Sequence, residues 1–354
     1  MRRLTLCLAL LALAGLPVRE AGAQSRIEIV DTHAHPVRSE KAGQASGRGG
    51  GQRGQQRGGP NTANILANLL AHMDRFGVSV SILLPPPYPA VTPGLYGVDE
   101  LAQLARRSNG RIAFVAGGES INPLLQATPP DAVTPAALQS LRSTAEAIVA
   151  AGAVGFGELA LEHFSSGRGD HPYESLQPDH PLLLALAGIA AASGLPIDLH
   201  MEAVPTEMPF PQRRPVAGNP QRLRANIAAF ERLLQHDRGA KIVWAHAGWD
   251  LTGERNAALM RRLLQSHANL FMSLKLDDHG AARTAPLRDD GSLRPDWLAL
   301  LRDFADRFVI GSDQFYDEPL NRLPQARRLV DALPPDLAQQ VASENALRLY
   351  RLRR

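Results

Sequence analysis

The stretch Ile27-Glu28-Ile29-Val30-Asp31-Thr32-His33-Ala34-His35-Pro36 decides how the rest of the chain is read. Ile27–Asp31 is a short aliphatic run of the kind that forms a buried strand, and it leads into two histidines spaced i, i+2. On an extended backbone alternate side chains point the same way, so His33 and His35 offer two imidazoles to one side. Working outward, the alternation of a short aliphatic run with a helically spaced stretch recurs along the chain. Further strands are predicted at Val78–Leu84, Arg111–Ala116, Ala153–Glu158, Pro196–His200, Lys241–His246, Asn269–Lys275 and Phe308–Asp313. Helices are predicted between them at Thr62–Phe76, Val98–Ser108, Pro135–Ala151, Pro181–Ala192, Pro220–His236, Glu254–His267, Arg294–Asp306 and Pro319–Leu333. Asn219 before Pro220 reads as an N-cap followed by proline in the first turn. Strands alternating with helices in this number imply a parallel sheet that closes into a (β/α)8 TIM barrel in a single domain, α/β in class. A last helix, Leu337–Leu352, is expected to pack outside it. An open doubly wound sheet would need a Gly-rich phosphate turn after an early strand, and the one Gly-rich stretch lacks that spacing.

Composition narrows the classes. Of 354 residues 44% are hydrophobic, which supplies a sizeable core and excludes a disordered or fibrous chain. The formal charge of +3 is unevenly placed. Residues 1–23 and 38–60 are both net basic, and the remainder is slightly acidic, so the high pI says little about partners. Aromatic residues make up only 5%, which disfavours base stacking, and no nucleic-acid partner is expected.

The first 23 residues read as a signal peptide. Met1-Arg2-Arg3 is a basic start, Leu4–Leu16 is an apolar run too short to span a bilayer comfortably, and Ala21-Gly22-Ala23 fits a cleavage site before Gln24. The sole cysteine, Cys7, lies inside this segment. The mature chain, residues 24–354, therefore has no disulfide, thiolate ligand or cysteine nucleophile. The expectation is an exported protein, periplasmic or secreted, without a stable membrane anchor. Gly43–Pro60, GQASGRGGGQRGQQRGGP, can bury almost nothing and reads as part of a flexible insertion, about 39–60, after the first strand.

The chemistry lies in the residues that end the predicted strands. The first ends in His33 and His35, the fourth at Glu158, the fifth at His200, the sixth at His246 and the eighth at Asp313. In a parallel barrel all these ends open on one face, where active sites are built. With 11 histidines in the chain, chance supplies about 0.3 His-x-His pairs, so the pair alone is a weak signal. Its conjunction with four further strand ends is a strong one. Neutral imidazoles and carboxylates suit Zn²⁺, and also Mn²⁺, Fe²⁺ or Ni²⁺.

Asp31-Thr32-His33-Ala34-His35-Pro36, Trp244-Ala245-His246-Ala247-Gly248, Ile310-Gly311-Ser312-Asp313 and Glu344-Asn345-Ala346-Leu347-Arg348-Leu349-Tyr350 together resemble the amidohydrolase superfamily, in its amidohydrolase-related, TIM-barrel branch. The resemblance spans residues 27 to about 350, interrupted by the insertion. It implies one or two divalent ions per chain with His33, His35, His200 and Asp313 as ligands. It also implies that His246 orients or polarises the substrate or binds a second ion. Gly157-Glu158-Leu159 resembles the bridging-glutamate position of two-metal members similar to the TatD nucleases, so Glu158 is either a ligand or a carboxylate hydrogen-bonded to one. A bound ion would make hydroxide available near neutral pH, and Asp313 would accept and return the proton.

The expected activity is hydrolysis of a small amide, ester, lactone or phosphoester. Decarboxylation of an aromatic acid, which some members carry out with almost the same residues, is the enzymatic alternative, and a degenerate binding barrel is the alternative from another class. Glu202, Trp249 and Lys275 are further candidates for contact with a small-molecule substrate. Gln314 and Phe315 are expected at the rim, and Arg213 and Arg214 on the surface. His163, His171 and His180 are expected in an exposed loop, and His72, His236 and His267 on solvent-facing helix surfaces. His279 is given no role. Substrate identity and oligomeric state are not legible.

Overall fold

The computed structural model describes residues 26–36, 62–87, 96–166, 172–211, 218–277, 283–316 and 322–353. The expected signal peptide and insertion lie outside the described residues, as do His171, Arg213, Arg214 and His279. The strands are β1 (Ile29–His35), β2 (Val78–Leu83), β3 (Ile112–Phe114), β4 (Ala116–Gly117), β5 (Phe156–His163), β6 (Glu174–Ser175), β7 (Ile197–Met201), β8 (Met208–Pro209), β9 (Arg222–Leu223), β10 (Ile242–Ala247), β11 (Leu270–Leu274), β12 (Phe308–Ile310) and β13 (Gln314–Phe315).

The main sheet runs β3-β2-β1-β12-β11-β10-β7-β5-β4, with every pairing along that path parallel. Its two ends, β3 and β4, are separated by Val115 alone. The Val115 N–H donates to Leu83 O on one side, and Phe114 O accepts from Val154 N–H on the other. Residues 112–117 are thus one interrupted strand, and the path returns on itself as the expected eight-membered ring. Helices between successive strands satisfy the long crossovers that parallel pairing demands. Local signals set their limits. Thr134 accepts from Ala137 N–H with Pro135 in the first turn of helix Pro135–Ala150, and Gly194, at φ +69°, closes helix Pro181–Ser193.

Two faces of the sheet bury different things. Ile29, Leu83, Phe114, Ile242 and Phe308 pack outward against helix residues such as Leu69, Leu186, Phe230 and Leu263. Alternating with these, Val30, Ile82, Val115, Val243 and Val309 point inward and form a separate cluster with Ala346, Leu349 and Tyr350. The last of these residues correct the expected outer helix Leu337–Leu352. The helix itself runs from Pro335 to Leu349, widened at Gln340–Glu344 without leaving helical backbone, but its end packs on the inner strand face. Ser343, Asn345 and Tyr350 along and after this wider turn are all buried, and Asn345 donates to the Ala305 and Phe308 carbonyls.

One other difference has a clear cause. The helix expected from Pro220 begins at Ile227, because Asn219 is spent on the Ser165 backbone, and residues 222–223 pair with 208–209 as a short ribbon. Asn226 bonds Val204 N–H and Glu202 O immediately before that helix. A short helix, Ile121–Ala127, also follows β4. Among the described residues no helix is long and apolar enough to cross a membrane.

Candidate metal centre

The strand ends converge as the ring requires. His33 and His35 come from β1, Glu158 from β5, His200 from β7, His246 from β10, Lys275 from just after β11 and Asp313 from just after β12. All are buried. Two residues of this group hold left-handed backbone, His246 at φ +66° and Asp313 at φ +57°. For non-glycine residues that conformation costs on the order of 1–3 kcal/mol and persists only where its surroundings fix it. The Asp313 N–H donates to His33 O at 2.7 Å, which joins its turn to β1. Gly311 is needed beside it, since a Cβ there would run into the Ser273 hydroxyl and the His33 Cβ.

Each β1 histidine has one nitrogen engaged and the other directed at carboxylates. His33 Nδ1 lies 3.3 Å from Asp198 Oδ2, and His35 Nδ1 donates to Leu84 O at 2.9 Å. This leaves both Nε2 atoms as candidate lone-pair donors, the arrangement in which imidazoles ligate metals. His33 Nε2 is 3.5 Å from Glu158 Oε2 and 4.0 Å from Asp313 Oδ1. His35 Nε2 is 3.6 Å from Glu158 Oε2 and 3.1 Å from Asp313 Oδ1. Two donors on one tetrahedral ion, each about 2.1 Å from it, stand about 3.4 Å apart. Two groups of compatible donors result, His33–Glu158–His246 and His33–His35–Asp313, with His33 common to both. His33 Nε2 and His246 Nδ1 are buried without a hydrogen-bond partner among the described residues. The orphaned His33 Nε2, facing the Glu158 and Asp313 carboxylates, fits a divalent cation.

His200 enters differently. Its Nδ1 lies 2.8 Å from Glu158 Oε1, and His246 Nε2 is 3.2 Å from the same oxygen. Glu158 therefore sits between the β1 histidines on one oxygen and the β7 and β10 histidines on the other.

The electrostatics follow from burial opposed by partners. Burial pushes the Glu158 carboxyl up, but His33 and the hydrogen bonds from His200 and His246 outweigh it and hold it well below the usual range. For Asp313 burial again acts upward and is overcome by Arg322, Lys275 and His246. Lys275 Nζ is 2.6 Å and Arg322 Nη1 2.7 Å from Asp313 Oδ2, so that oxygen is saturated while Oδ1 faces the imidazoles. Burial drives His246 well below its ordinary value, against the pull of Asp313 and Glu158. Burial likewise lowers His33, but Asp198 and Glu158 reverse this and lift it well above, an excess of negative field that a cation would relieve.

The further candidates fall in distinct places. Lys275 Nζ stands 3.8 Å over the Trp249 ring, and that ring meets His246 and His200 edge-on, so both border the centre. Phe315 stacks on His35 at 4.4 Å. Gln314 is fully buried and its Oε1 accepts from the Arg322 N–H. Glu202 is spent elsewhere: it accepts from Leu251 N–H at 2.8 Å and faces Asp250, and it belongs to neither donor group. Against expectation His163, His180 and His267 are buried. His163 packs on the His200 ring, His180 caps a helix by accepting from Leu182 N–H, and His267 lies 3.6 Å from Glu231.

Sequence reasoning missed Asp198, Asp31, Arg322 and Arg255. Asp198 stands two residues before His200, so the i, i+2 argument applied to β1 would have placed it on the same side of β7. Asp31 receives the Ser312 N–H and hydroxyl at 2.8 and 2.5 Å and so fixes the turn that presents Asp313. Arg322 and Arg255 carry no spacing signal.

A parallel ring with buried histidines and carboxylates on its strand ends defines a metal-dependent barrel enzyme. The amidohydrolase family model matches residues 30–352, and the chain belongs to that family. Solved structures share the fold at low identity. A dihydroxybenzoic acid decarboxylase from Polaromonas sp. JS666, with bound manganese and 2-nitroresorcinol, is 15% identical, with 92% of this chain and 98% of that one covered at a TM-score of 0.53. The 4-oxalomesaconate hydratase of Rhodopseudomonas palustris is 13% identical over 91% and 95% of the two chains, with a TM-score of 0.51. A probable 2-pyrone-4,6-dicarboxylic acid hydrolase from Acinetobacter baumannii is 14% identical over 92% and 99%, with a TM-score of 0.50. No curated protein matches the chain.

Proposed function

We propose that this enzyme is an exported hydrolase that uses one or two divalent ions, Zn²⁺ first among them, to cleave a small amide, ester, lactone or phosphoester. The observation that carries the reading is Asp313: a buried carboxylate held ionised by Lys275 and Arg322, with Oδ1 left facing the donor groups. His33, His35, Glu158 and Asp313 would hold the ion, with His200 and His246 steadying Glu158 or taking a second one. A bound divalent ion supplies Lewis acidity, lowering the pKa of water from 15.7 towards about 7. Asp313 Oδ1 accepts the proton of the attacking water and returns it to the leaving group. His246 would orient the substrate oxygen on which charge develops by turning to it the Nε2 that otherwise meets Glu158. Trp249 and Lys275 border the substrate, and export follows from the N-terminal 23 residues.

A second reading, decarboxylation of an aromatic acid, is favoured by the two cations beside Asp313, which would receive a substrate carboxylate. The test is a panel of lactones, esters, amides and phosphoesters beside substituted benzoates assayed for CO₂. Hydrolysis with no CO₂ supports the proposal. CO₂ release alone overturns it in favour of the lyase, and no turnover of either set, with metal loaded, favours a binding barrel.

A further inference from the structure

Arg255 is a buried cation that the chemistry above does not use. Its guanidinium donates to three backbone carbonyls around one turn: Ala245 O at 2.5 Å and His246 and Trp249 O at 2.8 Å each. Arg255 is 2% exposed, its guanidinium lies 4.8 Å from the Trp244 ring centroid, and its backbone N–H donates to Asp250. Asp250 in turn faces Glu202, whose carboxyl holds the Leu251 N–H, while the Thr252 hydroxyl donates to Ala203 O. The cluster thus ties the end of β7, just past His200, to the turn that leaves β10. That turn contains His246 in left-handed backbone, and the His246 carbonyl also accepts from Trp249 N–H.

We propose that Arg255, whose backbone N–H is anchored on Asp250, is a positioning residue that holds His246 and Trp249 in the geometry of the metal centre. A planar fork of donors can serve three carbonyls that curve around one point, whereas a lysine ammonium is a single centre on a flexible stem. Without the fork only the Trp249 N–H on His246 O and the Lys275 N–H on Ala247 O still hold this turn, and nothing described ties Ala245 O and Trp249 O to it, so the His246 turn relaxes towards ordinary extended backbone. The proposal rests on His246 belonging to the site and not on the reaction assigned to it, so its test needs no turnover.

The test is nitrogen NMR of the histidine-labelled mature protein in Arg255→Lys and Arg255→Met, with the His246 signal identified by its loss in His246→Ala. Zn²⁺ affinity is measured beside it by chelator competition. The expected result is a shifted or broadened His246 signal in both variants, with the exposed His236 unmoved. Affinity should weaken about 10–100-fold, as for other groups that orient metal ligands, and Arg255→Lys should weaken it no further in the His246→Ala background. Should Arg255→Met fail to fold, Arg255→Lys carries the test. An unmoved His246 signal in Arg255→Lys would overturn the proposal, as would collapse of the whole spectrum in that variant, which would make Arg255 a folding element alone.

Discussion

Inside the ring, two layers built on the same strands differ in what holds them. In one, Val30, Ile82, Val115, Val243 and Val309 meet Ala346, Leu349 and Tyr350, and each apolar group gains about 25 cal/mol for every Å² taken from water. A few residues further along the same strands, His33, Glu158, His246, Lys275 and Asp313 are just as buried. Taking such charges out of water costs several kcal/mol apiece unless each finds a partner. The first layer is stabilising whichever chemistry the enzyme performs. The second is tolerable only because every charge is set against another, and two of its members also hold strained backbone. A fold retains such a layer for what it does, and the comparison assigns stability to one end of the barrel and chemistry to the other.

The largest expected effect separates the two ends. His33→Ala or Asp313→Asn should abolish turnover on any substrate found while circular dichroism still shows a folded barrel, although Asp313→Asn leaves Lys275 and Arg322 without their partner and should lower the melting temperature. Full activity in either variant would break the comparison. The converse change, Leu349→Ala, should cost about 2–5 kcal/mol in urea unfolding, with activity per folded molecule unchanged. A loss of activity without a loss of stability would mean that the inner apolar layer takes part in the chemistry.

A smaller effect comes from Glu162, at the edge of the charged layer. Burial raises its carboxyl to about 7, against hydrogen bonds from Tyr173 and Ser175 that lower it. Above about pH 4.3 the unfolded chain has released a proton that the folded protein still holds. This contribution to stability is therefore complete below about 4.3 and fades as pH rises through 7. Glu162→Gln should flatten the fall in melting temperature between about pH 5 and about pH 8. An unchanged slope would remove Glu162 from the account. Least of all should be felt the deletion of residues 43–59, which by composition offer neither packing nor chemistry, and activity should stay within a few-fold.

How much of this was legible follows from the same division. The apolar strands announced themselves by alternation with helical stretches, and the ring followed from their number. The site histidines and carboxylates were legible because they punctuate strand ends, as at His33, His200, His246 and Asp313. Asp198 was hidden within a strand that reads as aliphatic, although its spacing from His200 was available. Arg255 was not legible, because its role depends on three carbonyls that converge only in the folded turn. The C-terminal segment was legible as a helix, but its pattern does not reveal the wider turn at Gln340–Glu344 or that Leu349 and Tyr350 lie on the inner face.

The central claim, that the charged layer is a divalent-metal centre, is tested most directly by metal stoichiometry. Plasma mass spectrometry of the mature protein beside His33→Ala reads it, since His33 belongs to both donor groups. One or two ions per chain in the parent and none in the variant is the predicted result. No ion in the parent even after reloading, or an undiminished content in His33→Ala, would contradict it.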